Sequence, residues 1–550
     1  LRRFWFDCIL TGIIAFLLVV CGFFSVGRAS AQELSATNDS PVIELKLTDY
    51  LQKVLKQNED IQAQMLETEV GRHKAKSEYG IFEPTLGASI ERESNRRTNN
   101  VQQQASQNGE AYFAEQNNLL DSSVEQLVPL GGKVRLGYTL SDLNNNINPY
   151  GNVFTSTNNP FIKQYMTFVG LTFTQPLLKN GGYSATMAGI RLAALDSGIA
   201  FQQYRRQLML TVYQAESAYW NLYFAQEQIR FFDDSVALAQ NVLSDSQQKL
   251  KAGQGAELDV MEAQSALAIR NTKRNDAIQN YYDAIGHLRM LTSVIPSPSM
   301  GGSSRTTIRA ADDPRSTNTP PTYADSFNES VVLNPDYLIQ KQKMEQEEVR
   351  LGVAQNQMLP ELNFKTAYGF NGLGNDTSES WDMIAHRMFP SWSVGLEFSM
   401  PLGLNIKGRN LYKAAQLSLH EVYLNVTSTQ KQIANTLDIA IQKAQAWRQS
   451  IASYQTVVNY NQELLKTQVE RLKAGTVEGE KVLEVEANLL DSQQDLASAL
   501  TQYRRALLEV ELSSGCILKN RGIDISRDEL KRQTEEFLNG SKSAEAAAWR

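Results

Sequence analysis

The feature that most restricts how this chain can fold is an internal duplication, because a sequence that repeats itself must repeat its local structure. Asn58-Glu59-Asp60-Ile61 returns as Asn334-Pro335-Asp336-Tyr337, and Glu83-Pro84-Thr85-Leu86 returns at the same offset as Leu359-Pro360-Glu361-Leu362. Val169-Gly170-Leu171-Thr172-Phe173, ending in Gln175-Pro176-Leu177, returns as Val394-Gly395-Leu396-Glu397-Phe398, ending in Met400-Pro401-Leu402. Lys249-Leu250-Lys251-Ala252-Gly253 returns as Arg471-Leu472-Lys473-Ala474-Gly475. The first copy holds an extra stretch of about fifty residues between Pro84 and Val169. These landmarks divide the chain into a first repeat over 45–294, a Pro/Ser/Thr-rich linker or irregular belt over 295–323, a second repeat over 324–515 and a tail over 516–550.

Each repeat mixes two periodicities. Leu45 to Tyr79 and Tyr323 to Met358 have helical patterns, closed by Pro84 and Pro360. Trp392, Val394, Leu396, Phe398 and Met400 then alternate with Ser391, Ser393, Gly395, Glu397 and Ser399, giving one apolar and one largely polar face at period two. Strands are expected near 85–92, 166–175, 362–368 and 391–400, with two more from the extra stretch at 121–128 and 133–141, turned at Pro129 to Gly132. Such strands suit a membrane barrel, whose apolar side meets lipid while the polar side meets water. An open sheet edge is not viable in lipid and small barrels begin at about eight strands, so several chains must pool their strands. The Asn/Gln-rich stretches 95–118 and 143–159 are expected as surface loops.

The segments after the strands have no Gly or Pro over 199–252 or 409–474. Uninterrupted, the second is a helix about 100 Å long at 1.5 Å per residue. Ile433, Leu437, Ile441, Ala444, Trp447, Ile451, Tyr454 and Val458 recur every three or four residues along it, the seam of a helix packed along its length. Gly253 with Gly255, and Gly475 with Gly479, permit reversals into return helices ending near Leu291 and Ser513.

At the N-terminus Arg2 and Arg3 precede an apolar run closed by Ala29-Ser30-Ala31, so 1–31 reads as a cleavable export signal. Its removal leaves Cys516 as the single cysteine and excludes an intramolecular disulfide. The formal charge of -7 becomes -9 once Arg2, Arg3, Asp7 and Arg28 are gone, which disfavours nucleic acid as a partner. Enzymatic signatures are lacking: the histidines His73, His287, His386 and His420 are isolated, and there is no HExxH, CxxC or phosphate-cradling GxxxxGK[ST]. No enzyme activity, metal or cofactor is expected.

The duplicated order of helix, strands and long helical hairpin, with Pro84 and Pro360 before the entry strands, Pro176-Leu177 and Pro401-Leu402 at the exits and the two "LKAG" tips, resembles the TolC-type outer membrane efflux family over nearly the whole mature length. The resemblance implies a mixed α and β membrane protein: a homotrimer sharing one transmembrane β-barrel, continuous with a long periplasmic α-helical barrel. It implies an outer membrane channel of a tripartite efflux or type I secretion system, passive, and docked to a periplasmic adaptor protein and an inner-membrane pump. The family minimum is four strands per chain, so the extra pair would either enlarge the barrel or form an added hairpin. An exported coiled-coil scaffold or adhesin is the competing reading, against which the proline-marked alternating strands argue.

The tips supply the candidate site residues. Asp259 and Glu262 follow the first tip, and Glu480, Glu484 and Glu486 the second; repeated around a trimer they would ring a channel aperture with negative charge and favour cations. The same acids also suit a solvated helix start. Better-known members of the family close this mouth with paired acids and an arginine-containing network. A gapless extension from Gly475 places Lys481 and Glu484 on the acids and Val477 on the arginine, so Lys481 is expected to neutralise a neighbouring acid instead. Leu250, Ala252, Gly253, Leu472, Ala474 and Gly475 are candidates for adaptor contact, or simply for turning the chain.

Overall fold

The structure is a computed structural model of the chain, and it describes residues 42–106, 109–146, 162–292, 307–315, 319–403, 405–523 and 525–548. The expected export signal, most of the 295–323 linker and the 147–159 loop therefore lie outside the described residues. The chain divides into a small unit, Leu1–Ile43 with Pro298–Thr307, of which only 42–43 and 307 are described, and a large unit, Glu44–Ser297 with Ile308–Arg550.

The first repeat opens with α1 (Leu47–Gln57) and α2 (Glu59–Ser77), then β1 (Thr85–Thr98), α3 (Val101–Ser106), β2 (Tyr112–Leu127), β3 (Lys133–Asn145) and β4 (Ile162–Pro176). A single turn, α4 (Tyr183–Thr186), leads to α5 (Ala188–Lys251), 64 residues long, and the return helix α6 (Glu257–Leu291). The second repeat follows the same order with α7 (Tyr323–Leu333), α8 (Pro335–Gln357), β5 (Glu361–Gly374), α9 (Thr377–Ala385), β6 (Pro390–Ser399), the 68-residue α10 (Ile406–Lys473) and the return helix α11 (Gly479–Ser514). At 1.5 Å per residue the two long helices reach about 95–100 Å. The helices α12 (Ile517–Asn520) and α13 (Arg527–Ala548) complete the chain, and Leu530 of α13 is buried in the main core, so the tail is packed structure at its start.

Each expected entrance helix is in fact two helices. Asn58 accepts from the Ile61 amide and caps α2, while its own amide group donates to the Leu291 carbonyl at 3.1 Å. Asn334 caps α8 through Asp336 and Tyr337 and donates to the Ser513 carbonyl at 2.9 Å. An asparagine thus starts one helix and fastens the end of the return helix in both repeats, satisfying orphan groups at two termini with one side chain.

The main core gathers Tyr50 and Val54 of α1, Leu208, Val212, Tyr219 and Leu222 of α5, Ile285 of α6 and Ile517 of α12. Across it runs the belt segment 308–315. Asp312 accepts from the Leu47 amide and the Tyr219 hydroxyl, both at 2.7 Å, and Arg504 of α11 donates to the Pro314 carbonyl at 2.6 Å while lying over the Trp220 ring. Nearby, Glu216 is buried against Arg521; burial pushes its carboxyl above the ordinary range, the guanidinium opposing that shift.

Among the described residues, no helix is long and apolar enough to cross a membrane. The six strands form one antiparallel sheet in simple chain order, β1 to β6. They run past the expected limits: β1 and β2 take in much of the 95–118 stretch that was expected as loop.

Candidate channel elements

Pairing in the sheet puts Leu86, Leu120, Val124, Leu136, Leu171, Tyr368 and Trp392 on one face, since Leu86, Val124, Leu136, Leu171, Tyr368 and Trp392 are successive cross-strand partners and Leu120 stands four residues from Val124 on β2. Large apolar side chains on this face are open to solvent, Leu86 at 77%, Ile90 at 83% and Trp392 at 74% exposure. An apolar patch of this extent is a surface awaiting a partner or lipid. The opposite face carries Arg135 with Asp121 and Glu125, and Lys365 with Glu397, the mark of a side that meets water.

Helix α9 was not expected. It lies on the apolar face: Trp381 stacks on Tyr138 with ring centroids 5.4 Å apart, and Ser380 donates to the Thr167 hydroxyl at 2.7 Å. The approach depends on Gly372, where a Cβ would stand 2.0 Å from the Ser380 carbonyl oxygen.

At the other end of the molecule both hairpin tips have the same construction. Gly253 and Gly475 sit at φ 74° and 72°. Their amides donate to Leu250 and Leu472 carbonyls, and the amides of Gln254 and Thr476 donate to those of Lys249 and Arg471. This double bond pattern around a left-handed glycine is the Schellman close of a helix, and it accounts for the recurring Leu-Lys-Ala-Gly. Leu250, Ala252, Gly253, Ala474 and Gly475 are exposed at the tips. Leu472 is not available for contact: it is packed with Val242, Ala263, Val482 and Leu483 in a small core joining the two hairpins.

The acids separate into three kinds. Asp259 accepts from the Ala256 amide at 3.1 Å and finishes the start of α6; Glu262 and Glu480 are exposed. Glu484 is exposed too, and Lys481 reaches it at 2.5 Å. Glu486 is no aperture residue: it is 5% exposed and bound by Arg270, itself 9% exposed, whose Nε is 3.1 Å from Oε2. Arg270 also donates to the Ser235 hydroxyl and the Leu483 carbonyl, so α5, α6 and α11 meet at this group. The spacing carried the signal, because Glu486 follows Val482 by four residues and precedes Leu489 by three, inside the buried stripe.

The pattern defining the family described as "Outer membrane efflux protein" matches residues 328–515, the second repeat and about a third of the chain. The second repeat thus carries the pattern of the outer membrane efflux proteins. No curated protein matches the chain by sequence. The chain is similar in fold to a membrane protein from Pseudomonas aeruginosa, at 13% identity and a TM-score of 0.60 over 90% of this chain and 96% of that one. It is likewise similar to the Campylobacter jejuni CmeC outer membrane channel, at 14% identity and a TM-score of 0.59 over 93% and 97%. The outer membrane protein VceC from Vibrio cholerae aligns at 12% identity and a TM-score of 0.57 over 85% and 96%.

Proposed function

We propose that the chain is a TolC-type outer membrane efflux protein, one protomer of a homotrimeric, passive conduit that sits in the outer membrane and reaches into the periplasm, where its tips meet a periplasmic adaptor of an inner-membrane pump. The observation that carries this reading is the joining of one apolar-faced sheet with two unpaired edges to two helical hairpins about 100 Å long. A sheet with that face suits lipid only when its edges are closed, and closure needs further copies. The long hairpins supply reach across an aqueous compartment with apolar seams between them.

In this reading Glu262, Glu480 and Glu484 stand near the aperture, with Asp259 behind them, and the exposed Leu250, Ala252, Gly253, Ala474 and Gly475 are offered to the adaptor. The small residues permit close approach by another helix pair. Energy comes from the pump.

Membrane fractionation followed by unheated and heated electrophoresis tests the reading. The conduit predicts a detergent-dependent oligomer of three chains from the outer membrane that falls to monomer on heating. A freely soluble exported chain, with no requirement for detergent, would favour the scaffold alternative.

A further inference from the structure

The strands from the extra stretch of the first repeat are built into the wall of the sheet. β1 pairs with β2 along its whole length, from Thr85↔Glu125 to Thr98↔Tyr112, and β3 pairs with β4 from Lys133↔Thr174 to Asn145↔Ile162. β1 is therefore held apart from β4 by the two inserted strands. The insertion keeps the facing of the side chains: Leu120, Val124, Leu136 and Leu140 continue the apolar face of β1, β4, β5 and β6. On the other face one row of residues with little or no side chain crosses all six strands, Gly87, Ser123, Gly137, Gly170, Gly369 and Ser391.

The turn between β2 and β3 is fastened on both sides. The Leu130 carbonyl accepts from Gln175 Nε2 at 2.9 Å and from the Gly182 amide at 3.0 Å, and Gln126 Nε2 donates to the Phe82 carbonyl at 3.1 Å. A hairpin bound this way, with a lipid-type face, fits neither a plug in the lumen nor a flap outside the barrel. Two edges remain, the outer sides of β1 and β6, and in lipid each must find a strand. The strand available to close them is the opposite edge of a second copy.

We propose that the inserted hairpin widens the shared barrel to eighteen strands, six from each of three copies, so that the outer membrane section admits bulky, hydrated cargo such as an unfolded polypeptide. The proposal rests on the trimeric conduit reading above. With strands about 4.8 Å apart and tilted about 40°, eighteen strands give a backbone diameter of about 36 Å, against about 24 Å for twelve. Four long or return helices from each copy, spaced about 9–10 Å apart, make a twelve-helix ring about 35–39 Å across. The wider barrel therefore has about the diameter of the ring of helix axes, whereas a twelve-stranded barrel would be about a third smaller. Eighteen-stranded barrels are of the size that leaves an open aqueous channel. The charged groups Arg135 with Asp121 and Glu125, and Lys365 with Glu397, would line it with water-binding pairs of both signs.

Electron cryomicroscopy of the full chain in lipid nanodiscs decides the matter by counting strands. A three-fold barrel of eighteen strands, with β2 and β3 in the wall, is the expected result. A three-fold barrel of twelve strands with the hairpin lifted from the wall overturns the widening and leaves the conduit reading standing. Particles without a shared barrel overturn both. Polymer exclusion in planar bilayers gives a second reading: with polyethylene glycol added on the barrel side, the full chain should admit polymers about twice as wide as those entering a variant lacking residues 112–145, and an equal cut-off counts against the widening.

Discussion

Arg270 and Glu486 form a buried ion pair between α6 and α11, the return helices of the two repeats, with Nη2 and Oε2 2.5 Å apart. Two charges removed from water are tolerated because each meets the other and Arg270 also donates to the Ser235 hydroxyl and the Leu483 carbonyl, and loss of either leaves its partner uncompensated. Glu486→Ala is expected to cost about 3–5 kcal/mol in the stability of the paired hairpins, while Arg270→Met with Glu486→Leu recovers most of that. Denaturant unfolding of the purified protein, followed by helical circular dichroism, measures both; a double variant as weak as the single one would mean that the pair holds the helices by more than mutual compensation.

The Lys481 ammonium and the Glu484 carboxylate make an exposed pair one turn into α11. An exposed pair adds about 0–1 kcal/mol to stability, so its effect should be on ions. Lys481→Ala frees the acid and is expected to raise cation preference, and Glu484→Ala to lower it, with melting unchanged. Reversal potentials under a salt gradient would show whether the two substitutions move selectivity in opposite directions.

Glu216 provides a pH signature. Its carboxyl is pushed up in the folded chain, so the folded form binds a proton more readily than the unfolded one. Between the ordinary carboxylate range and the raised folded value, this group makes stability fall as pH rises. Relative to Glu216→Gln, the native protein should therefore gain stability as pH is lowered through that window. A difference in melting temperature that stays flat with pH would remove Glu216 as the source.

Cys516 is 7% exposed, and burial pushes its thiol up. It should resist alkylation by N-ethylmaleimide in the folded protein and react within minutes in denaturant. Mass spectrometry after timed exposure reads this directly, and rapid labelling of the native oligomer would place the α11–α12 junction in the open.

A side chain at 372 would displace α9. Gly372→Ala is expected to loosen the exposed Arg387 connection beyond it, with tryptic cleavage after Arg387 several-fold faster in intact vesicles. Unchanged cleavage would mean that the sheet can accommodate a Cβ there.

How far the fold could be read from sequence depended on which residues carried a local signal. The tips were legible because a left-handed glycine after Leu-Lys-Ala has a fixed geometric purpose, and it appears twice. The middles of the strands were legible through their alternation of apolar and polar residues. Their outer ends, such as Ser94 to Thr98 of β1, are polar on both faces, so period two leaves no mark there. Asn58 and Asn334 belonged to the duplicated pattern, yet the run of helical residues on either side hid their role as caps. Helix α9 is nine residues long, too short for a periodic signal, and Arg270 meets Glu486 across 216 residues of sequence. That contact follows from how two hairpins pack, which no local pattern encodes.

The central claim is that assembled copies form a water-filled path through a membrane. Single-channel recording of the detergent-extracted oligomer in planar bilayers tests it most directly. The account predicts discrete, cation-preferring openings that become longer or larger when the tips are loosened by Glu486→Ala. Well-folded oligomers that conduct no current, even with Glu486→Ala, would contradict it.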